Sequence, residues 1–375
     1  MRSRRGMLLG FVLLAVVFAS FQRANADEPR KRLLYVSSPG VRDYVEWGGH
    51  GVLVFDIDGG HKFVKRISLA SHGTDDRGKV LNIKGICACA DTGRLYLSTL
   101  KQLICIDLVT DRVLWQKAFD KGCDRMAITP NGAVIYLPSL ENDVWYVVDA
   151  ATGDEIKRLE TKSKAHNTIA GQASGRVYMA GLGSPLVTVA NVDGHKIERT
   201  IGPFSAAVRP FTLDTGDTKL YANVNGLLGF EIADLKTGKM IHRVEVTGVE
   251  KGQPKRHGCP SHGIGLTPDE REVWVCDGFN SQLHVFDNTV SPPKQVASIK
   301  LREQPGWITF TPSFSGFYAY PSTGEVIDPA TRKIITTLTD EEGRQVHSEK
   351  MLTIDVMGGK PASAGDQFGR GWVVP

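Results

Sequence analysis

Polar side chains recur at one equivalent position in seven short apolar segments of the chain. The position lies four residues before the apolar residue on which the segments align, and strand alternation predicts an apolar side chain there. Six of the seven positions are instead polar or ionisable, and one is glycine: Lys84, Asp124, His166, Arg209, His262, Gly306 and Lys350. Because the pattern breaks at the same level each time, we predict that these residues form a polar ring.

The charge of this ring suits a small anionic or sugar-like ligand. Three cations, Lys84, Arg209 and Lys350, stand against the single acid Asp124. A concave site of one dominant sign concentrates counter-ions, and a guanidinium binds a carboxylate or phosphate with paired hydrogen bonds. Neighbours that could complete a ligand-binding pocket are Arg125, Asn167, Trp307, His347 and Glu349. The alternative is that these strand ends are polar only because they are exposed to solvent.

Two histidines of the ring offer further chemistry. His166 and His262 could bind a transition metal with His257 or His347 as a third ligand. They lie in segments that are not consecutive, however, and we predict no metal. Either histidine could act with a nearby acid in acid–base catalysis. The chain has no G-x-S-x-G, H-E-x-x-H or Walker sequence, so catalysis and any cofactor stay open.

The elements that position the ring are short strands in a repeat. Aromatic anchor residues recur at intervals of 61, 40, 42, 43, 53 and 44 residues, at Tyr35, Tyr96, Tyr136, Tyr178, Tyr221, Trp274 and Tyr318. Four short strands in a repeat of about 43 residues are typical of a β-propeller blade. The two longer intervals contain insertions, at residues 71–82 and 248–261. The second is basic, and we expect either a flap over the ring or an ordinary long loop.

The two ends of the repeat predict how the propeller closes. The first anchor, Tyr35, has no apolar strand before it, whereas residues 350–355 form an apolar strand with no anchor after it. Pairing of these two segments completes seven blades and hides sheet edges that would otherwise invite aggregation. We therefore predict an all-β, seven-bladed β-propeller closed by pairing of the C-terminal strand with the N-terminal blade. A pair of β-sandwich domains is the alternative, although sandwiches lack this period.

The anchor strands resemble those of the YVTN-repeat propellers, a family of exported bacterial seven-bladed proteins. They read YVSS at residues 35–38, YLST at 96–99, YLPS at 136–139 and WVCD at 274–277. SHGI at residues 261–264, running into Thr267-Pro268-Asp269, is similar to the inner strand of that family. The resemblance covers nearly all of the chain after the leader and implies the fold. Related propellers include lactonase-like enzymes, cofactor-handling periplasmic proteins and binding modules, so it implies no single activity.

Residues 1–26 have the features of a secretory signal peptide. Basic residues 2–5 precede an apolar run over residues 7–21 and an Ala24-Asn25-Ala26 cleavage sequence. The run is shorter than the roughly 20 residues of a membrane span. We therefore expect a single propeller domain over residues 27–375, secreted or periplasmic, with no stable membrane span after cleavage. An uncleaved anchor is the alternative, and the export route stays open.

Charge and cysteine usage narrow the partners. The chain has 45 Lys and Arg against 41 Asp and Glu, and the leader holds four arginines and no acid, which leaves 41 of each. A mature domain without net positive charge argues against nucleic acid as a partner. The six cysteines could pair in several ways in an oxidising compartment, but several lie in strand patterns, and we expect mostly free thiols.

Three functions stay open from the sequence. The first is a monomer that binds a small molecule, or a periplasmic or extracellular protein, at the mouth of the central channel. The second is a lactonase-like hydrolase or a lyase that uses the same funnel. The third is a protein-interaction scaffold. Fold alone does not decide among them, because propellers serve many unrelated functions.

Overall fold

The computed structural model describes residues 30–69, 71–312 and 316–370. The predicted signal peptide, residues 1–26, lies outside this part of the chain. The described strands form seven antiparallel sheets arranged in a ring, which is a seven-bladed β-propeller and confirms the predicted fold class. The described residues contain no helix, and hence none that could cross a membrane.

The strands of each blade follow one another in the chain, except in blade 1. Blade 1 contains β1 (Lys31–Ser38), β2 (Gly51–Asp56), β3 (Lys62–Ile67) and two strands from the end of the chain, β28 (Met351–Met357) and β29 (Lys360–Ala364). Blade 2 contains β4 (Ile83–Cys89), β5 (Arg94–Thr99), β6 (Gln102–Asp107) and β7 (Val113–Ala118). Blade 3 contains β8 (Ala127–Ile128), β9 (Val134–Pro138), β10 (Val144–Asp149) and β11 (Glu155–Glu160).

The other four blades have the same plan. Blade 4 contains β12 (Ala165–Ala170), β13 (Arg176–Gly181), β14 (Val187–Asn191) and β15 (Lys196–Ile201). Blade 5 contains β16 (Val208–Leu213), β17 (Lys219–Val224), β18 (Gly229–Asp234) and β19 (Lys239–Glu245). Blade 6 contains β20 (Ser261–Leu266), β21 (Glu272–Asp277), β22 (Gln282–Asp287) and β23 (Lys294–Lys300). Blade 7 contains β24 (Ile308–Phe310), β25 (Ala319–Pro321), β26 (Glu325–Asp328) and β27 (Lys333–Thr337).

The ring closes where it was predicted to close. Strand β28 pairs antiparallel with β1, with Ile354 opposite Leu33 and Leu352 opposite Tyr35. The amide of Ser37 also donates to the carbonyl of Lys350 over 3.0 Å. Strand β28 is therefore the first strand of blade 1, and the first strands of the other blades are β4, β8, β12, β16, β20 and β24.

One predicted anchor, Tyr318, is wrong. In blade 6 Gly265 pairs with the anchor Trp274, nine positions later. In blade 7 the matching residue, Thr309, pairs with Tyr320, eleven positions later. The turn between β24 and β25 is thus two residues longer, so Tyr318 lies before the strand. Tyr320 is the buried anchor.

Bulges explain why the ring residues break the strand alternation. In four blades the pairing of the first and second strands shifts register at the predicted ring level. A β-bulge leaves the extra residue out of the ladder and re-aims its side chain. The residues in these bulges include Lys84, His166, Arg209 and His262.

The end of the described chain lies inside the ring of first strands. Strand β29 pairs with the axial side of β28, and the segment that follows it, residues 365–370, is called the hub below. The amide of Gly365 donates to Thr353 of blade 1 over 2.8 Å. The Gln367 side chain bonds the amide of Ile86 in blade 2 and the carbonyl of Met126, just before the first strand of blade 3.

The other four blades also bond the hub. Arg370 donates to the carbonyl of Ala170 in blade 4 over 2.7 Å. The Gly369 carbonyl accepts from the Thr212 hydroxyl of blade 5 and from the Leu266 amide of blade 6. In blade 7 the indole of Trp307 donates to the Gln367 carbonyl. The hub therefore joins all seven blades at the axis and closes the channel.

All six cysteines are buried and unpaired, which confirms the expectation of free thiols. Cys87, Cys105 and Cys123 pack in one apolar cluster between blades 2 and 3. Burial raises the pKa of the Cys105 thiol to about 11, so it stays protonated at neutral pH. These cysteines act as small apolar side chains of the core.

We predict that the hub stabilises the whole propeller. Phe368 is 3% exposed, and its ring centroid lies 6.0 Å from that of Trp307. Phe368→Ala should lower the free energy of unfolding by about 3 kcal/mol, because truncating a buried phenylalanine leaves a cavity. Urea denaturation followed by tryptophan fluorescence measures the change. Lys360→Ala, an exposed change in β29, is the control, and an equal effect of the two would show that the hub is not part of the core.

Candidate functional site

The predicted ring residues converge on one cavity. It has a volume of about 190 Å³ and lies at the end of the channel where the first strands begin. We call it the ring cavity. Seven of the ten predicted ligand-binding residues line it: Lys84, Arg125, His166, Arg209, His262, Glu349 and Lys350. The other three, Asp124, Asn167 and Trp307, are buried beside it without lining it.

Asp124 anchors one side of the ring cavity. Its carboxylate accepts a hydrogen bond from His166 Nδ1 over 2.7 Å and one from the Arg125 amide over 3.0 Å. Lys84 Nζ lies 3.4 Å from Oδ1 of Asp124, the oxygen that also accepts from the Arg125 amide. Burial acts to raise the pKa of Asp124, but Lys84 and His166 outweigh it and bring the pKa to about 2. Asp124 is therefore ionised, and its role is to orient its neighbours.

His166 is held in one tautomer by this contact. An ionised carboxylate can only accept, so Nδ1 of His166 carries the proton and Nε2 is left with a free lone pair. Burial lowers the pKa of His166, although Asp124 opposes the shift. The structure therefore presents a neutral imidazole at the wall of the ring cavity.

Glu349 anchors the opposite side. Arg125 Nη2 lies 2.6 Å from Oε2 of Glu349, and Lys350 Nζ lies 3.2 Å from the same oxygen. His257 Nε2 lies 2.9 Å from Oε1. Burial acts to raise the pKa of Glu349, but Lys350, His257 and Arg125 together bring it well below its ordinary value. The carboxylate is thus already occupied by three neighbours of the same chain.

Lys350 is the most perturbed cation of the cavity. Its ammonium donates to the Gly40 carbonyl over 2.7 Å and to Glu349. Burial lowers the pKa of Lys350 to about 7, because desolvation outweighs the attraction of Glu349. Lys350 therefore exchanges its proton near neutral pH, and the charge of the ring cavity changes with it.

Gly306, the one ring residue without a side chain, makes room for these partners. A Cβ on Gly306 would overlap both the Glu349 carboxylate and the His257 imidazole. His257 comes from the insertion at residues 248–261, and it lines the ring cavity together with Gly258. Of the two expectations for this insertion, a flap or an ordinary long loop, these contacts favour the flap, which is held in part by the pair between Arg256 and Glu303 at 2.5 Å.

His262 offers a second neutral imidazole. Its Nδ1 lies 2.8 Å from the Gly306 carbonyl, which can only accept, so Nδ1 donates and Nε2 keeps a free lone pair. Its ring stacks on that of His257 with centroids 3.9 Å apart and planes 11° from parallel. Burial, aided by His257, lowers the pKa of His262 well below 6.5.

Three residues of the ring cavity form the one cluster of possible metal ligands found among the described residues. Donor atoms of His257, His262 and Glu349 lie within 4.8 Å of one another. Imidazole lone pairs lie in the ring planes, and two nearly parallel stacked rings do not aim at one ion. Arg125 also occupies the carboxylate. This arrangement suits a hydrogen-bonded network better than a metal centre. His347, the other predicted third ligand, stacks on Trp47 outside the lining.

Arg209 differs from the other cations of the ring cavity. Its Nε donates to the amide oxygen of Asn225 over 2.5 Å, and no ion pair joins it to a carboxylate within the described part of the chain. Lys84 and Arg125, in contrast, pair with Asp124 and Glu349. Arg42 at the exposed rim also has no ion pair among the described residues, so Arg209 is the part-buried cation of the cavity with unused charge.

The remaining predicted residues support the wall. Trp307 lies beneath Arg125, whose guanidinium carbon is 3.8 Å from the ring centroid. Both amide atoms of Asn167 are buried without a protein partner. Sequence reasoning missed the rim residues Asn82 and Glu141. Asn82 belongs to the insertion at residues 71–82, whose length was the available signal.

A second cavity, of about 210 Å³, lies at the opposite end of the channel. Its lining is mostly small apolar residues of the first strands, such as Ala127 and Ile169, together with the hub. Asp366 and Arg370 there pair with each other over 2.8 Å. The lining arginine at this end is therefore paired with a carboxylate, whereas Arg209 at the ring cavity is not.

Comparison with protein-family models and with curated proteins found no match to this chain. The fold assignment thus depends on the observed strand topology, and the nature of the site depends on its geometry alone.

We predict that Gly306 is required for the charge network. Gly306→Ala should lower the free energy of unfolding by about 1–3 kcal/mol, because the added methyl group overpacks a buried site. Thermal or urea denaturation measures the effect. Gly194→Ala is the matched control, since its Cβ would come no closer than 3.3 Å to any neighbouring atom. A Gly306→Ala protein as stable as this control would contradict the described contacts.

Proposed function

We propose that this protein binds a small organic anion carrying a carboxylate in the ring cavity. The observation that carries the proposal is Arg209, an arginine that lines the cavity without a carboxylate partner among the described residues. A guanidinium in such a position favours a planar anion that accepts two parallel hydrogen bonds.

The charge balance of the cavity supports this ligand. The lining cations Arg42, Lys84, Arg125 and Arg209 exceed the lining acids Glu141 and Glu349 and the buried Asp124, even before the titrating Lys350 is counted. The concave shape of the cavity reduces the screening of this excess by solvent. An incoming carboxylate would therefore be favoured both by the hydrogen bonds that Arg209 can donate and by the positive electrostatic potential of the cavity.

Hydrogen-bonding groups beside the cations favour a sugar-derived acid. The Asn82 amide oxygen is buried without a partner, and Glu141 lies at the rim. Such acceptors suit hydroxyl groups, whereas Arg209 suits the carboxylate of the same molecule. A few convergent polar groups in a concave site are typical of small-molecule binding.

The distribution of exposed apolar residues gives less support to a scaffold. Large exposed apolar side chains lie on the outer strands of different blades, such as Val64 on β3, Leu114 on β7 and Ile156 on β11. A protein-docking surface more often gathers such residues in one patch. We accordingly propose that the ligand binds at the channel and not on the outer strands of the blades.

We further infer a member of the YVTN-repeat propellers that is exported as a monomer. The anchor strands at residues 35–38, 96–99, 136–139 and 274–277 support the family. The leader at residues 1–26 supports secretion or a periplasmic location.

The test of the proposed ligand is calorimetry with Arg209 variants. We expect glucuronate or galacturonate to bind and neutral glucose not to bind. Arg209→Ala should weaken uronate binding about tenfold or more, because a charge-assisted pair contributes roughly 1.5–3 kcal/mol. Arg209→Lys should restore part of the loss. Arg158→Ala, which removes an exposed arginine outside the cavity, is the control, and equal affinity of all variants would refute the site.

The second candidate function is catalysis in the same cavity, favoured by His262. Its free Nε2 belongs to a neutral imidazole, and Arg209 and Lys84 line the same cavity. A neutral base beside cations can remove a proton next to a carboxylate, while the cations stabilise the negative charge that develops. This chemistry fits a lyase, and the same base could activate water for a lactonase-like hydrolysis.

We predict that any such activity depends on His262 and that its rate is retained at mildly acidic pH. Uronate oligomers test elimination through the ultraviolet absorbance of the unsaturated product, and sugar lactones test hydrolysis through acid release. His262→Gln should reduce the rate at least about a hundredfold. Because burial holds the pKa of His262 well below 6.5, the rate should not decline as the pH falls from about 8 to 6.5, and protonation of Lys350 in this range only adds to the positive charge of the cavity. A decline centred at 6.5, or a fully active His262→Gln protein, would exclude this base.

A further inference from the structure

A groove opens beside the ring cavity on the same face. Its volume is about 570 Å³. It shares four lining residues with the ring cavity, and these are Arg42, Asn82, Lys84 and Glu141. The two spaces are therefore adjoining parts of one depression. The ring cavity alone is smaller than a typical ligand pocket of about 300–1,000 Å³, so a larger ligand would extend into the groove.

The groove is built from the first insertion of the repeat and the loop after β1. The insertion supplies Asp75 and Lys79 to the lining, and the loop supplies Asp43. Asp75 accepts hydrogen bonds from the amides of Arg77 and Lys79, each over 2.9 Å, which fixes the turn. Lys79 Nζ lies 2.9 Å from Asp43, so the two walls are joined by an ion pair.

The groove and the ring cavity differ in charge. The groove has three cations and three acids, namely Arg42, Lys79, Lys84, Asp43, Asp75 and Glu141. Its remaining walls include Leu100 and Leu140. A balanced lining of this kind offers both donors and acceptors to hydroxyl groups. It gives no net attraction to further anionic units, whereas the ring cavity has a cationic excess.

We propose that the ligand is an oligosaccharide with one terminal uronic acid, whose uncharged sugar units lie along the groove. The uronate carboxylate meets Arg209 in the ring cavity, and the next unit passes Asn82 and Glu141 into the groove. Balanced polar walls beside leucine side chains fit the hydroxyl edges and apolar faces of neutral sugars. A polyuronate or an acidic peptide would place additional carboxylates next to Asp43, Asp75 and Glu141. These acids would repel the added negative charges, so such ligands are disfavoured. This inference rests on the proposed anion site and specifies its substrate class.

The test compares ligands that differ beyond their terminal carboxylate. Calorimetry on the mature protein would use glucuronate, an aldobiouronic acid (glucuronic acid linked to one neutral sugar), galacturonate, digalacturonate and an acidic dipeptide. We expect the aldobiouronic acid to bind about tenfold tighter than glucuronate, since the added unit gains contacts in the groove. Digalacturonate should gain nothing over galacturonate, and the dipeptide should bind more weakly than glucuronate.

A groove variant locates the second unit. Leu140 lines the groove and not the ring cavity, so Leu140→Trp should narrow the groove and reduce the affinity for the aldobiouronic acid to that for glucuronate. Glucuronate binding should be unchanged. Leu114→Trp, on the exposed face of β7, is the matched control and should preserve the difference between the two ligands.

The outcomes separate this inference from the proposed function. If neither uronate nor uronate-containing oligomer binds, the anion site itself is wrong. If glucuronate binds but the aldobiouronic acid binds no tighter, the extended ligand is wrong and the anion site stands. Tighter binding of digalacturonate or of the acidic dipeptide, or an aldobiouronic acid advantage that survives Leu140→Trp, also overturns the inference.

Discussion

The hydrogen bonds of the hub to all seven blades are the contacts on which the rest of the structure depends. A propeller has no core at its axis unless something fills it, and here the hub does so with paired polar groups. The Gln367 carbonyl fixes the indole of Trp307, Trp307 lies beneath Arg125, and Arg125 holds Glu349. Because an unpaired buried donor costs about 1–3 kcal/mol, removing the hub would disturb both the floor and the wall of the ring cavity.

The charges of the ring cavity are not all satisfied to the same extent. Buried charges are stable only when they are paired, and Asp124 and Glu349 each have several partners within the chain. Arg209 is left with an amide partner, Asn225. Under the proposed function, a negative ligand would therefore meet a cation that gives up no ion pair on binding. Lys350 adds a charge that depends on pH near neutrality.

The sequence predicts the repeat, the closure and the level of the ring, because each has a local signal. The ring is visible since bulges place residues such as Lys84 and His166 outside the alternation. Other parts of the site depend on contacts between distant segments. The hub is polar and glycine-rich and has no period, and His257 is positioned by the tertiary contacts of a long loop. The regular spacing of the repeat points to Tyr318 as the anchor, because spacing alone does not show that the turn between β24 and β25 is two residues longer.

The position of the hub in the chain affects how the protein can fold during synthesis. Gln367 and Ile86, which bond directly, are 281 residues apart in sequence. All seven blades must leave the ribosome before the hub is available, whereas domains with local contacts can fold progressively from the N-terminus. An open ring with unpaired strands at its axis is thus an obligatory nascent state. A chain that stops after the seventh blade but before residue 365 would therefore lack the bonds that join the blades at the axis.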